Sequence, residues 1–295
     1  MAEWSKAPVW RTGGRKPAGV RIPPPALAFF IARQLFCCKR DMEKLLETLA
    51  RRFRVPKRVL KDEYMRGVNI ADETLPWFER TVEKVRDYHR RGYEVLTLGR
   101  DVLPLNLLLV LEGIPVKNLG ISSGTKELAR YTYELSGIKN VDERLLRSAY
   151  ETFKRSAGYK RLRKVLEKMV KGKKVLVVDT GYRGTHAWLV AELLREMGKE
   201  AHPLLIVGRR EFPGEKVHVL EDLAEKWGTT PENVIGRIVD ALESGAIKPL
   251  LPYRELNRSP RVDEEDDIER AIIARRIAAW LGFVRRVRER RLSSH

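Results

Sequence analysis

Two hydrophobic rhythms alternate along the chain. Val175-Leu176-Val177-Val178 is an unbroken aliphatic run, the pattern of a strand buried on both faces of a parallel sheet. Asp179 stands where that strand is predicted to end, and the Gly-rich turn Thr180-Gly181-Tyr182-Arg183-Gly184-Thr185 follows. Ala187, Val190, Ala191 and Leu194 then fall at i, i+3, i+4 and i+7, which predicts a helix. The same sequence of elements occurs earlier. Tyr93 to Leu98 reads as a strand, Gly99-Arg100-Asp101 as its turn and Val102 to Leu111 as a helix whose Pro104 suits a first turn. Pro115 to Ile121 reads as the next strand, and Leu204 to Val207 as another after Gly198. The predicted class is α/β with a parallel sheet.

Helical rhythm dominates the flanks. Leu45, Leu46, Leu49 and Phe53 form one face of a helix from Met42 to Arg54, and Pro56 breaks it. A second helix is predicted from about Thr74 to Arg91, with Phe78, Val82, Val85 and Tyr88 inward and Gly92 as C-cap. Lys126 to Lys171 is helical in pattern, with breaks near Gly137 and Gly158. Leu220 to Ile247 has the spacing of a helix-turn-helix, with Gly228 at the turn and Asn233 and Arg237 on the second helix. A final helix starts near the acidic run Asp263 to Asp267 and buries Ile272, Ile273, Ile277, Trp280 and Leu281. The expected division is an extension over 1–41, a helical cap over 42–92, an α/β core over 93–212 with a basic helical insert at 126–172, and a helical region over 213–295.

Charge changes the picture. The chain has 58 Lys and Arg against 40 Asp and Glu, a net +18 over 295 residues. That surplus suggests a nucleic acid, a phosphorylated small molecule or an acidic surface as partner. Lys154 to Lys174 holds ten basic residues and one acid, Glu167, and should present a positive stripe with Lys168, Lys171 and Lys173 as nucleic-acid candidates. Arg237 joins them if the helix-turn-helix binds DNA. High Lys, Arg and Glu with few Cys and Met is a heat-adapted composition. No run of 18 apolar residues suggests a membrane span. The adjacent Cys37 and Cys38 have no others to pair with, so the expected compartment is the cytoplasm. The five histidines show no ligand spacing, so no metal is expected to be held by the protein alone.

Candidate chemistry centres on the two strand-end turns. A strand, a glycine turn and a helix N-terminus bring backbone N–H groups and the positive end of a helix dipole to one spot, which suits phosphate. Gly120-Ile121-Ser122-Ser123-Gly124 also fits the nucleophile elbow of serine hydrolases, with Asp179 and one of His186, His202 or His218 following in order. Ser123 or Thr125 would equally serve as an N-cap. A P-loop is absent, and Gly181 stands where a haloacid-dehalogenase phosphatase needs its second Asp. Tyr182 stands where an aspartic protease wants Ser or Thr.

Taken together, residues 93–210 resemble the type I phosphoribosyltransferase-like fold, in a divergent branch. The resemblance rests on Gly99-Arg100-Asp101 at one strand end, and on the apolar strand followed by Asp179, Gly181, Gly184 and Thr185 at another. It implies that Arg100 and Asp101 stand at a pyrophosphate loop. It also implies that Asp179 contacts ribose hydroxyls, while Gly181, Gly184 and Thr185 receive a 5-phosphate and Arg183 joins the ligand-binding residues. Asp179 and Asp101 are the implied catalytic acids, phosphoribosyl transfer the implied reaction, and Mg²⁺ carried by the ligand's phosphates the implied cofactor. The chain departs from the family in having Thr180 in place of an adjacent second acid, and in a shorter turn. A non-catalytic module with a nucleic-acid-binding insert is the alternative, and either form could be an oligomer. A second resemblance concerns the start. Met1 to Pro8 and Gly19 to Pro24 look like a transfer-RNA gene translated in one frame, which would put the protein's own start at Met42 and leave +12 (50 basic minus 38 acidic residues).

Overall fold

The apolar run at 175–178 is the middle of a five-stranded sheet. In the computed structural model the described residues are 42–99, 101–119, 143–182, 184–235 and 262–293. Their elements are α1 (Met42–Phe53), α2 (Lys57–Arg90), β1 (Glu94–Leu98), α3 (Leu103–Leu111), β2 (Val116–Leu119), α4 (Glu143–Lys154) and α5 (Ala157–Met169). There follow β3 (Lys174–Tyr182), α6 (Thr185–Glu196), β4 (Glu200–Gly208), β5 (Glu215–Val219), α7 (Leu220–Lys226) and α8 (Val262–Ser293). The sheet order is β2-β1-β3-β4-β5 and every pairing is parallel.

Both faces of the sheet are covered, which is why β3 is apolar at consecutive positions. Leu176 and Val178 enter a core shared with α2, α3, α7 and α8. Val175 and Val177 enter the opposite core with α4, α5 and α6. Successive side chains of a strand point to opposite faces, so a doubly covered strand must be apolar at every position. The helix after β1, α3, lies on one face and the helix after β3, α6, on the other. From β1 the chain therefore winds outward to β2, and from β3 the other way to β4.

Several elements differ from the sequence expectation. α2 is one helix of 34 residues, not one beginning near Thr74, and Pro76 lies inside it. Burial explains this: Leu60, Tyr64, Gly67, Ile70, Ala71 and Leu75 continue its inner stripe and pack on α8 and α1. The sheet also runs past residue 212, because Glu215–Val219 is a strand at the start of the region expected to be helical. Residues 209–214 alone join β4 to its parallel neighbour, where about a dozen are usual. They suffice because β5 pairs only with the last part of β4, from Leu204↔Glu215 to Gly208↔Val219. Within the basic insert, the break falls at Arg155-Ser156, where the Ser156 side chain accepts from Tyr159 N–H and caps α5. Gly158 is instead a buried residue of α5.

α2 and α8 run parallel and very close. Arg275 pairs with the buried Glu63 at 2.7 Å, and Arg286 and Arg290 hold Asp72 at 2.7 and 2.9 Å. A side chain at Gly67 would run into the Ala279 carbonyl, and one at Gly282 into the Tyr64 carbonyl. α1 closes a third cluster over them through Leu46 and Leu49. Among the described residues no helix is long and apolar enough to cross a membrane. The extension over 1–41 lies outside the described residues, as does the insert up to residue 142.

Candidate functional site

Pairing between β1 and β3 ends at Thr97↔Val178, one residue before Asp179. On its other side β3 continues to pair with β4 as far as Tyr182↔Gly208. Asp179 is thus the first residue of β3 with no β1 neighbour, at the point where the connections of the two strands depart to opposite faces. Open α/β sheets place ligands at such a switch point, outside the carboxyl ends of the strands.

On each side of this point a strand end leads into a helix. On the β1 side Gly99 has φ 74°, and its N–H donates to Leu119 O at 2.8 Å. The Asn118 amide donates to Gly99 O at 2.8 Å and to the buried Thr97 hydroxyl at 3.0 Å. Asp101 follows, just before α3. On the β3 side Gly181 has φ 115°, and a side chain on it would strike the Val207 carbonyl. Gly184 caps α6 at φ 71°, where a side chain would strike the ring of Phe212. Positive φ and close approach make glycine necessary at both.

Neither helix has a side-chain cap at its amino end: Val102 and Gly184, the residues at the cap positions, supply no acceptor. The first intrahelical bonds are Asn106 N–H to Val102 O and Trp188 N–H to Gly184 O, both 2.9 Å. The amides before them, including those of Thr185 and His186, are not used by their own helix. Both dipoles present positive ends at the same edge of the sheet.

Against these positive ends stand two acids. Asp179 keeps some contact with solvent but sits deep in the protein. Burial pushes its carboxyl up to about 7, and the charge of Asp101 pushes in the same direction. Hydrogen bonds from the Thr180 N–H at 2.8 Å, the Thr180 hydroxyl at 3.5 Å and the Gly181 N–H only partly offset this. The carboxyl is therefore poised between acid and base near neutral pH. Next to the turn, Thr185 is buried. Burial also pushes the His186 imidazole down to about 4, and its Nε2 is enclosed without a hydrogen-bond partner. A neutral imidazole thus adjoins the turn.

The chain matches no family model, no curated protein and no solved structure.

Asp101 lies close enough to Asp179 for its charge to act on that carboxyl, and Gly181, Gly184 and Thr185 follow Asp179 at the end of β3 and the start of α6. Arg100, Arg183, Arg237, and Ser122 with its Gly120–Gly124 motif, lie outside the described residues. Lys168, Lys171 and Lys173 are placed elsewhere. Lys171 N–H and Gly172 N–H donate to Glu94 at the start of β1, and Lys173 O accepts from Glu200 N–H at the start of β4. They lie at the amino edge of the sheet, about 17 Å along β3 from Asp179 at 3.3 Å per residue. These three lysines are thus not at the strand-end turns. Of the other histidines, His202 pairs with Leu176 below the switch point, and His218 is buried on the edge strand β5. In the C-terminal pair, α7 and the helical residues 231–235 flank Gly228, φ 56°. Leu220, Ala224 and Val234 join the core beside the Trp77–Trp227 contact, while Asn233 is exposed.

Sequence reasoning passed over Asn118 and gave His186 only a triad role. A polar residue in an otherwise apolar strand was the available signal for the first. For the second it was direct attachment to Thr185.

Proposed function

We propose that the chain is a phosphoribosyltransferase-like protein that binds a phosphorylated sugar or nucleotide at the β1–β3 switch point. The supporting observation is the meeting of two side-chain-uncapped helix starts with Asp101 and Asp179 at the switch point of a parallel sheet. The α6 start, with the end of β3 from Gly181 and the Gly184–Thr185 backbone, takes the terminal phosphate. The α3 start, behind Gly99, takes the second phosphate group. Asp179 accepts hydrogen bonds from ribose hydroxyls, and with a pKa near neutrality it can also hold or give up a proton there. Asp101 replaces, from the opposite wall, the acid that position 180 lacks.

Two carboxylates are the hard oxygen donors that Mg²⁺ takes, together with phosphate oxygens and water. Among the described residues no group of three or more such side chains could hold a metal ion, so Asp101 and Asp179 would share it with the ligand. When bound, Mg²⁺ supplies charge neutralisation to a pyrophosphate leaving group. The chain's own residues then orient the ribose: Asp179 fixes its hydroxyls, and the two helix ends hold the phosphates on either side of the anomeric carbon. Electrostatic stabilisation of that electron-poor centre is the transfer chemistry this arrangement serves.

The test is calorimetric titration of the full chain with phosphoribosyl pyrophosphate and Mg²⁺, alongside Asp179→Ala. Binding that the variant loses is expected. Absence of heat with the wild type rejects the reading, while binding without turnover assigns the site to a non-catalytic module.

A further inference from the structure

The exposed face of α5 carries a straight row of lysines. Lys160, Lys164 and Lys168 follow one another at i, i+4 and i+8, all exposed, opposite the buried Gly158, Leu162 and Leu166. With 1.5 Å rise per residue, successive lysines stand about 6 Å apart along the axis. Among the described residues none of the three takes part in an ion pair. Glu167, the lone acid of this helix, is held by Arg163 at 3.1 Å. Like charges at this spacing weaken a helix, and nothing on α5 relieves them. Arg155, just before the helix, and Lys173, just after it, are exposed as well.

We infer that this row is a docking surface for the phosphate backbone of duplex DNA. Lysines act as point charges that meet phosphates without reading bases. Single strands are bound by aromatic rings on which bases stack. The ring that α5 carries, Tyr159, is turned to Phe153 and Tyr150 and donates to Glu196. Sequence-specific recognition of RNA works on splayed, stacked bases and their edges, which a row of ammonium groups without a free ring does not serve. The surface is independent of the switch-point site, because α5 leads into the amino end of β3 while Asp179 lies toward its carboxyl end.

The experiment is fluorescence anisotropy of the full chain with two short labelled DNA duplexes of unrelated sequence, a labelled RNA duplex and a labelled acidic peptide, between about 50 and 200 mM salt. The variant is Lys160→Gln/Lys164→Gln/Lys168→Gln, since glutamine is a good helix former. An equal charge change at exposed Lys44, Arg51 and Arg58 on α1 and α2 is the control. The wild type should bind both duplexes alike. The α5 variant should lose affinity about tenfold or more, and its salt slope should shrink by about 2–3, at roughly 0.9 per lost phosphate contact. The control should change less than the α5 variant, and circular dichroism should show α5 variant helicity kept. Equal losses in both variants, an unchanged α5 variant, no binding by the wild type, or tighter binding of duplex RNA or an acidic peptide would each overturn the inference.

Discussion

Replacing Asp179 by Asn should stabilise the protein at alkaline pH and leave it unchanged in acid. The carboxyl has an ordinary value of 3.8 and is raised to about 7 in the folded chain. A group raised on folding contributes stability that is fully present below its unfolded value and is lost as pH rises through the folded one. Between 3.8 and about 7 the wild type therefore loses up to about 1.4 kcal/mol per pH unit from this one group, or roughly 4 kcal/mol in all. Above pH 7 the folded protein holds a buried, repelled carboxylate, which the amide does not. Asn keeps an oxygen to accept the Thr180 N–H, so the charge is what changes. Solvent contact at Asp179 screens part of the penalty, so the variant should gain about 2–4 kcal/mol at pH 8. Urea unfolding of both proteins at pH 4, 6 and 8 reads the difference directly. A variant less stable at pH 8, or a difference that does not vary with pH, would refute the reasoning. Stability stored against function in this way is usual at sites that bind or react.

Two further outcomes are expected. His186 has the opposite sign: burial lowers it from 6.5 to about 4, so its contribution is present above pH 6.5 and lost as pH falls toward 4. His186→Gln should flatten the acid decline of stability across that window by up to about 3 kcal/mol, measured as thermal midpoint against pH; an unaltered decline would show that the imidazole is not buried neutral. Gly67→Ala forces a methyl into the Ala279 carbonyl, and should cost about 3 kcal/mol or more in denaturant unfolding as α2 and α8 separate; a neutral effect would mean the helices are not in contact there.

Local chemistry was legible in the sequence because it depends on neighbours along the chain. The run Val175–Val178 identified a doubly covered strand, and Gly184 marked a helix start whose positive φ requires it, whereas Gly181, read as part of a turn, lies in β3 and pairs with Val207. The periodicity of α6 and the amphipathic face of α1 were equally local. Where the apolar stripe was diluted by Glu63, Gly67 and Asp72, the pattern missed the first half of α2. Those residues make sense only against Arg275, Ala279 and Arg286 on a helix over two hundred positions away. β5 escaped notice for a similar reason, since Glu215–Val219 is short and half polar and is a strand only because β4 stands beside it.

What only the tertiary structure decided is the site's arrangement. Only the resemblance joined Asp179 and Asp101 in the sequence, since strand order is a long-range choice and no local pattern says that β1 lies beside β3. That adjacency places both acids at one switch point, ends the β1 pairing at Val178 and raises the Asp179 carboxyl. Connectivity rather than strand order puts Lys168, Lys171 and Lys173 at the far end of β3, because a helix that leads into a strand must finish at that strand's amino end. Periodicity and turn chemistry fix the pieces; which pieces become neighbours is settled by the burial of both faces of one sheet.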